Sequence, residues 1–217
     1  MKITLMDRVL EANEAWAEEN RIALAARGVV MFNLIGSPGA GKTTLLEKTI
    51  RLLSGGAGVA VIEGDVATSR DAERIGKAGA PVVQINTGDG CHLGANAVHA
   101  ALKELCAARA PKIVFVENVG NLICPAEFDL GEWGKIAVLS VTEGDDKVEK
   151  YPLLFSLARA LVVTKIGLLP HTNFRMGEAE KEFRRVNRDA PIFALDSLSG
   201  DGFGLWIEFV RRAARKR

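Results

Sequence analysis

The sequence predicts an α/β fold, with a mostly parallel central sheet that helices flank on both faces. Two observations predict it. Short runs rich in Val and Ile alternate with helical segments from residue 29 onwards, and each run is apolar at consecutive positions rather than at every second one. Continuous apolarity indicates that both faces of a strand are covered, as in a parallel sheet between two helical layers.

The predicted strands and helices follow one another as repeated strand–helix units. Strands are predicted at 29–35, 58–62, 81–85, 112–116, 135–141 and 161–164, with a weaker one at 191–195. Helices are predicted at 43–53, 69–78, 95–108, 147–158, 174–188 and 203–216. The stretch 120–134 has no periodicity, and irregular stretches of that length are often functional.

A further helix is predicted ahead of the first strand. Val9, Ala12 and Trp16 fall on one apolar stripe at helical spacing, and Gly28 is a helix stop. Because 217 residues suit one sizeable core, we expect a single domain, 1–217, with this helix as an N-terminal extension of about 1–28.

The composition disfavours several classes of partner and location. The 28 basic and 27 acidic residues give a net charge of +1, so no overall field indicates nucleic acid or an anionic membrane. No apolar run approaches the roughly 18–20 residues of a membrane span, and the N-terminus does not resemble a signal peptide. Three cysteines, an odd number, predict no disulfide framework. We therefore expect a cytoplasmic protein.

A glycine-rich motif follows the first predicted strand and leads into a helix. It consists of Gly36, Ser37, Pro38, Gly39, Ala40, Gly41, Lys42 and Thr43, followed by Thr44. This spacing, in the order strand, loop, helix, is that of a phosphate-binding P-loop. The backbone amides would surround phosphate oxygens, Lys42 would meet the β- and γ-phosphate charge, and the Thr43 hydroxyl would bind Mg²⁺. The alternative, a glycine turn capped by Thr43, is disfavoured by eight matched positions.

Acidic residues follow two other predicted strands, at the edge where open α/β sheets bind ligands. Asp65 ends the second strand and could contact Mg²⁺ or orient the attacking water; alternatively, it begins the turn before a helix capped by Ser69. Glu117 ends the fourth strand, where P-loop proteins carry an acidic residue, and Gly120 follows at the position of a glycine whose amide meets the γ-phosphate. Lys42, Asp65 and Glu117 are therefore the candidate catalytic residues.

Two loops at this same edge carry soft metal ligands. Cys91 and His92 follow the third strand, and Cys124 lies in the irregular stretch after the fourth. Thiolates and imidazole suit Zn²⁺ or Ni²⁺ better than Mg²⁺ or Ca²⁺. Three ligands leave a position for water or for a second copy of the chain. The alternative is that the cysteines are small buried hydrophobic residues.

These motifs resemble the HypB-type GTPases of the SIMIBI class, which assist nickel insertion into hydrogenase. The resemblance runs from about residue 30 to 203. It rests on the P-loop, Glu63-Gly-Asp65, Asp71-Ala-Glu-Arg74, Gln84-Ile-Asn-Thr-Gly88, Gly90-Cys-His-Leu93, Glu117-Asn-Val-Gly-Asn-Leu122, Cys124-Pro125 and Thr142-Glu-Gly-Asp. The urease-maturation GTPases are similar but carry Cys-Pro-His at their metal site.

The resemblance implies a function and a set of partners. It implies GTP and GDP as ligands, with Lys42, Thr43, Asp65 and Glu117 matching the nucleotide and Mg²⁺ residues. Cys91, His92 and Cys124 would be Ni²⁺ or Zn²⁺ ligands shared across a homodimer. The further partners it implies are a nickel-binding hydrogenase maturation protein and the hydrogenase large subunit.

The position expected to select guanine departs from the family pattern. GTPases have Asn-Lys-x-Asp where this chain has Thr164-Lys165-Ile-Gly167, and Gly167 has no side chain to accept hydrogen bonds from guanine. Ser197 could belong to the last base-contacting loop. From Gly167 we expect weaker guanine selectivity, which Gly167→Asp should strengthen. Two alternatives remain beside the GTPase. One is a small-molecule kinase with the same P-loop fold, and the other, which Gly167 motivates, is a metal-binding module with a degenerate nucleotide site.

Overall fold

The computed structural model describes residues 5–53, 58–65, 69–88, 90–107 and 110–215. Within these residues the strands are β1 Val30–Ile35, β2 Val59–Asp65, β3 Val82–Asn86, β4 Ile113–Glu117, β5 Gly134–Ser140, β6 Ala158–Thr164 and β7 Ile192–Ala194. The helices are α1 Leu5–Ala26, α2 Lys42–Leu52, α3 Arg70–Ala78, α4 Ala95–Leu105, α5 Cys124–Glu127, α6 Lys147–Lys150, α7 Pro152–Leu157, α8 Met176–Val186 and α9 Phe203–Arg215. A 3₁₀ segment spans Ile166–His171.

The seven strands form one sheet in the order β3-β2-β4-β1-β5-β6-β7, and every described pair is parallel. The α/β prediction is thus confirmed. Since all strands run the same way, the segments that follow them meet at one edge. The P-loop follows β1, at the centre of the sheet, with β4 and β5 on either side.

Helices cover both faces of the sheet because alternate residues of each strand point to opposite faces. Phe32 of β1 packs in the cluster formed with α2, α3 and α9, whereas Met31 packs in the cluster formed with α1 and α4. A third cluster lies between β5, β6 and helices α5 to α8. Helix α1 is fixed to the domain by the buried Asn20, which donates to the carbonyls of Ala95 and Leu130 at 2.9 Å each.

Three predicted helices need correction or comment. The single helix predicted over 147–158 is wrong, because the chain forms α6 and α7 with a break at Tyr151. Pro152 begins α7; it has no N–H to continue a helix but is well suited to the first turn of a new one. Residue 158 already belongs to β6. The last residues of the helices predicted over 95–108 and 203–216 lie outside the described residues.

No helix in the described part of the chain combines the length and the apolarity that a membrane crossing requires.

Candidate nucleotide and metal site

The P-loop lines a cavity of about 560 Å³ at the carboxyl edge of the sheet. Gly39 and Gly41 have φ angles of 76° and 90°, values that glycine adopts far more readily than other residues. Gly41 also precedes the first turn of α2 as its N-cap residue. The start of α2 therefore contributes free amides and a positive dipole end, which together favour an anion. The volume is within the usual range for a small-molecule site.

Lys42 is the first residue of α2 and lies against this loop, only 7% exposed. Its Nζ donates hydrogen bonds to the carbonyl oxygens of Gly36 at 3.0 Å and Ser37 at 3.2 Å. Burial lowers the pKa of Lys42, and the charge of Glu117 acts in the opposite direction. The ammonium group is thus desolvated within the cavity, where an anion would be its natural partner.

Thr43 and Glu117 meet on the cavity wall. The Thr43 hydroxyl donates to Glu117 Oε1 at 2.7 Å, and Glu117 is only 4% exposed at the end of β4. Burial raises the pKa of Glu117 to about 7, although the Thr43 hydrogen bond and the charge of Lys42 lower it. Glu117 Oε2 has no hydrogen-bond partner among the described residues. One buried carboxylate oxygen therefore remains available to a cation.

A second buried carboxylate, Glu63, lies beside Glu117. The two residues are directly paired because β2 and β4 are neighbours in the sheet. Burial, and then the charge of Glu117, raises the pKa of Glu63 to about 8, and Glu63 Oε2 also lacks a hydrogen-bond partner among the described residues. Asp65, two residues further along β2, is half-buried and lines the same cavity. The sequence interpretation gave a role to Asp65 and none to Glu63.

Arg74 of α3 also lines the phosphate cavity, and the sequence interpretation gave it no role. Its guanidinium donates to Thr44 Oγ1 at 3.0 Å, to Glu47 at 2.7 Å and to Asp71 at 3.0 Å. These contacts connect α3 to the first turns of α2. The Asp71-Ala-Glu-Arg74 motif could have indicated that Arg74 belongs to the site, since it follows the strand that carries Asp65.

A second cavity, of about 420 Å³, adjoins the first and shares Gly41, Thr44 and Lys165 with it. Thr164 Oγ1 donates to the carbonyl of Ala40 at 2.6 Å, and Lys165 Nζ donates to that of Gly39 at 2.7 Å. Lys165 has a φ of 61°, the one positive value for a non-glycine residue in the described part of the chain, and such strain concentrates at ligand sites. Thr164, Lys165 and Ser197 all line this cavity.

The predicted metal ligands come together in space. The Sγ atoms of Cys91 and Cys124 and a ring nitrogen of His92 all lie within 4.8 Å of one another. A metal bonded to sulfur at about 2.3 Å holds its ligands no more than about 4.6 Å apart, so little movement is needed to close the group. Cys91 is exposed, and His92 and Cys124 are half-buried. The group therefore lies at the surface.

Local contacts orient the three side chains. The His92 ring stacks on Phe128 with centroids 3.8 Å apart, and burial lowers the pKa of His92, which favours the neutral, ligating imidazole. Cys91 Sγ lies 3.6 Å from His92 Nδ1. A hydrogen bond with Cys124 raises the pKa of the Cys91 thiol. Cys124 itself begins the short helix α5 inside the stretch predicted to be irregular.

The segment after β4 contacts both the metal loop and the P-loop. Asn118 Oδ1 accepts the amide of Leu93 at 3.2 Å, and Asn121 Nδ2 donates to the carbonyl of Cys91 at 3.2 Å. Gly120 lies against Pro38, since a Cβ at position 120 would be 2.8–3.0 Å from atoms of that proline. Asn118 and Asn121 belong to a motif noted in the sequence, although their contacts could not be read from it.

Comparison with known proteins places these features in a family. A family model described as "CobW/HypB/UreG, nucleotide-binding domain" matches residues 30–194. The chain belongs to the CobW/HypB/UreG family. It is therefore a nucleotide-binding domain of the P-loop type, and the matched residues include both the glycine-rich loop and the Cys-His-Cys group.

Relatives within the CobW/HypB/UreG family share most of the chain. The hydrogenase maturation factor HypB of Azotobacter chroococcum mcd 1 is 47% identical over 204 residues, which cover 94% of this chain and 67% of the relative. The crystal structure of HypB from Archaeoglobus fulgidus superposes with a TM-score of 0.88 at 38% identity, covering 94% of this chain and 100% of that one. HypB from Helicobacter pylori, solved in complex with nickel, gives 0.88 at 35% identity, covering 94% and 96%.

Proposed function

We propose that the chain is a GTP-hydrolysing nickel carrier that assists the maturation of hydrogenase. The observation that carries the proposal is the meeting, at one sheet edge, of a phosphate cavity and a Cys91–His92–Cys124 group within 4.8 Å. The relatives of the chain include hydrogenase maturation factors, and one of them, HypB from Helicobacter pylori, was solved in complex with nickel. In this proposal GTP is the substrate of the P-loop and Ni²⁺ is the cargo of the Cys-His-Cys group, which would also accept Zn²⁺.

The acidic residues of the phosphate cavity fit Mg²⁺. Thr43 and Glu117 offer oxygen ligands, and Asp65 lies at the same edge. One buried oxygen each of Glu63 and Glu117, without a hydrogen-bond partner in the described part of the chain, favours a cation. Bound Mg²⁺ would neutralise charge on the β- and γ-phosphates. Lys42 would meet that charge from the opposite side, and the loop amides would orient the phosphates. Asp65 would orient the attacking water.

The segment after β4 would transmit the state of the nucleotide to the metal. Gly120 packs on Pro38 of the P-loop, and Asn121 of the same segment holds the carbonyl of Cys91. Cys124 lies four residues beyond Gly120, so a movement of Gly120 on hydrolysis would move a metal ligand as well. Segments that respond to a γ-phosphate are a common basis for nucleotide switches.

Metal binding at this surface suits a homodimer. The three side chains leave coordination positions open, and Cys91 is exposed. A second copy of the chain would complete the coordination sphere across a twofold axis. The partners that follow from the role are a nickel-binding maturation protein and the hydrogenase large subunit, with the complex formed in the cytoplasm.

The geometry favours this function over a small-molecule kinase. Kinases close several arginines over the phosphates, whereas Arg74 is the one arginine among the described residues that line the cavity. It is also held by Glu47 and Asp71. A metal-binding module without a nucleotide cycle would not need the Thr43–Glu117 and Lys42 arrangement described above.

The function is tested by measuring Ni²⁺ binding and GTP turnover on the same purified sample. We expect one transition-metal site per chain or per dimer, together with slow GTP hydrolysis that depends on Mg²⁺. Phosphate transfer to a small molecule with little hydrolysis would support the kinase, and metal binding without turnover would support the degenerate module. Either result would contradict the proposal.

Gly120→Ala is expected to slow GTP turnover by about tenfold to a hundredfold, because small misplacements of catalytic groups cost rates of that order. The added Cβ would lie 2.8 Å from Pro38 Cγ and 2.9 Å from its backbone nitrogen, so the P-loop or the segment after β4 must shift. Gly177→Ala is the matched control, because its Cβ would meet nothing within 4 Å. The GTP turnover rates of both variants and of the wild type show whether the Gly120–Pro38 contact affects hydrolysis. Equal rates in all three proteins would show that the contact has no role.

A further inference from the structure

A carboxylate lies in the space that Gly167 leaves in the second cavity. A Cβ at position 167 would be 3.0 Å from Asp196 Oδ2, and Gly167 N donates to that oxygen at 3.1 Å. Asp196 belongs to the segment after β7, 29 residues further along the chain. A carboxylate oxygen of an aspartate at position 167 would itself lie about 2.4 Å from its own Cβ. Asp196 thus brings an acidic oxygen to the immediate surroundings of position 167, where an aspartate would carry its own carboxylate.

Three backbone amides hold the Asp196 carboxylate in place, and it can still accept a further hydrogen bond. Its Oδ1 accepts the amides of Leu198 at 2.8 Å and Ser199 at 3.1 Å, whereas Oδ2 accepts only that of Gly167 among the hydrogen bonds described. A carboxylate has about four lone-pair sites, so Oδ2 can accept one more bond. Burial opposes ionisation, but the three amides outweigh it and lower the pKa of Asp196. The group is therefore a charged acceptor.

The cavity around Asp196 suits a planar base. It adjoins the phosphate cavity through Gly41, Thr44 and Lys165. Leu168 and Leu198 line it, and Leu198 is 89% exposed, an apolar surface that a stacked base would cover. At ring positions 1 and 2 guanine carries two donors, N1–H and the 2-amino group, whereas adenine has an acceptor at N1 and only a hydrogen on C2. A carboxylate in this cavity favours guanine.

We propose that Asp196 is the residue of this chain that selects guanine. It would do so instead of the aspartate of the Asn-Lys-x-Asp pattern, whose position Gly167 occupies. The inference rests on the proposed GTPase function and adds a specificity-determining residue to it. From Gly167 alone we expected weaker guanine selectivity; with Asp196 in this role, we expect the chain to keep its selectivity for guanine over adenine. Gly167→Asp then weakens GDP binding, because its carboxylate would lie against that of Asp196, and like charges at that distance repel.

The decisive variant is Asp196→Asn, tested by calorimetric titration with GDP, ADP and XDP. The oxygen of the new amide can still accept from Leu198 N and Ser199 N, which keeps the turn, whereas the hydrogen bond from Gly167 N is lost. The nitrogen of that amide donates instead of accepting, which disfavours the 2-amino group of guanine and favours the 2-oxo group of xanthine. We expect the GDP affinity to fall about tenfold to a hundredfold and the preference for XDP over GDP to rise by at least as much. An equal loss for all three ligands would indicate simple damage to the loop and would overturn the inference.

Asp201→Asn is the matched control. Asp201 is an exposed carboxylate of the same turn and is not among the residues that line the cavity. We expect its GDP, ADP and XDP affinities to match those of the wild type. An equal shift in both variants would mean that the charge of the turn, and not contact with the base, sets selectivity, and would overturn the inference.

Moving the carboxylate from position 196 to position 167 gives a second, independent test. Asp196→Ser keeps an oxygen for the turn amides but removes the acid, so guanine preference over adenine should fall about tenfold or more. Adding Gly167→Asp to this variant should restore the preference, since the clash with Asp196 is gone. If the wild type prefers GDP and Asp196→Asn keeps the same preference, the inference fails and the GTPase function stands. If the wild type binds GDP and ADP equally, both fail.

Discussion

Lys42→Ala is expected to lose at least a hundredfold in GTP affinity while the protein stays folded. The Lys42 ammonium is buried in the phosphate cavity, 3.0 Å from the carbonyl of Gly36, and it would contact both the β- and γ-phosphates. A hydrogen bond to a charged group contributes about 1.5–3 kcal/mol, so two of them amount to about 3–6 kcal/mol. The fold should persist because the side chain bonds only to its own loop among the contacts described.

Lys77→Ala is the control for this variant. Lys77 is exposed near the end of α3 and is not among the residues that line the phosphate cavity. Titration calorimetry with a non-hydrolysable GTP analogue gives the affinities, and circular dichroism on heating reports the fold. Undiminished affinity in a folded Lys42→Ala protein would contradict the assignment of the P-loop.

Removal of Cys91 or Cys124 should abolish tight binding of the transition metal. Structural zinc sites bind with about 10–16 kcal/mol over four ligands, or about 2.5–4 kcal/mol per ligand, so each Cys→Ala change should cost roughly a hundredfold. The double variant should bind no stoichiometric metal. Because the ligating thiols must lose their protons, affinity in the wild type should also fall as the pH falls.

Cys106→Ala provides a matched control within the same chain. Cys106 is half-buried at the end of α4, outside the Cys91–His92–Cys124 group. Titration with Ni²⁺ and with Zn²⁺ should leave it indistinguishable from the wild type. For the imidazole, His92→Ala should weaken binding and His171→Ala, at an exposed histidine, should not. Equal titrations of the wild type and the Cys91→Ala/Cys124→Ala protein would show that the ligand set is wrong.

The sequence predicted those parts of the site that depend on local motifs. The P-loop is one uninterrupted motif, and the approach of Cys91 to Cys124 followed from the rule that parallel strands end at one edge. Glu63 was missed because its importance comes from the pairing of β2 with β4, which the order of predicted strands does not specify. The Asp196–Gly167 contact joins two loops 29 residues apart, and no sequence pattern signals it.

The missed break between α6 and α7 has a different cause. Pro152 was visible in the sequence, and a proline inside a predicted helix indicates a boundary. Apolar periodicity on both sides of it led to one long helix in the prediction. The roles of Asn118 and Asn121 depended on the close approach of the segment after β4 to the metal loop, at 3.2 Å in both hydrogen bonds. Tertiary proximity, and not composition, makes them part of the site.

The central claim is that the nucleotide and metal sites act as one switch. The most direct measurement is a titration of Ni²⁺ into the GDP form and into the form with a non-hydrolysable GTP analogue, with the monomer–dimer balance followed by ultracentrifugation. We expect Ni²⁺ affinity to differ between the two forms, typically by about fivefold or more, and the same factor must appear in the effect of Ni²⁺ on nucleotide preference. Identical Ni²⁺ affinity and identical mass in the two forms would contradict the claim and leave the sites as mere neighbours.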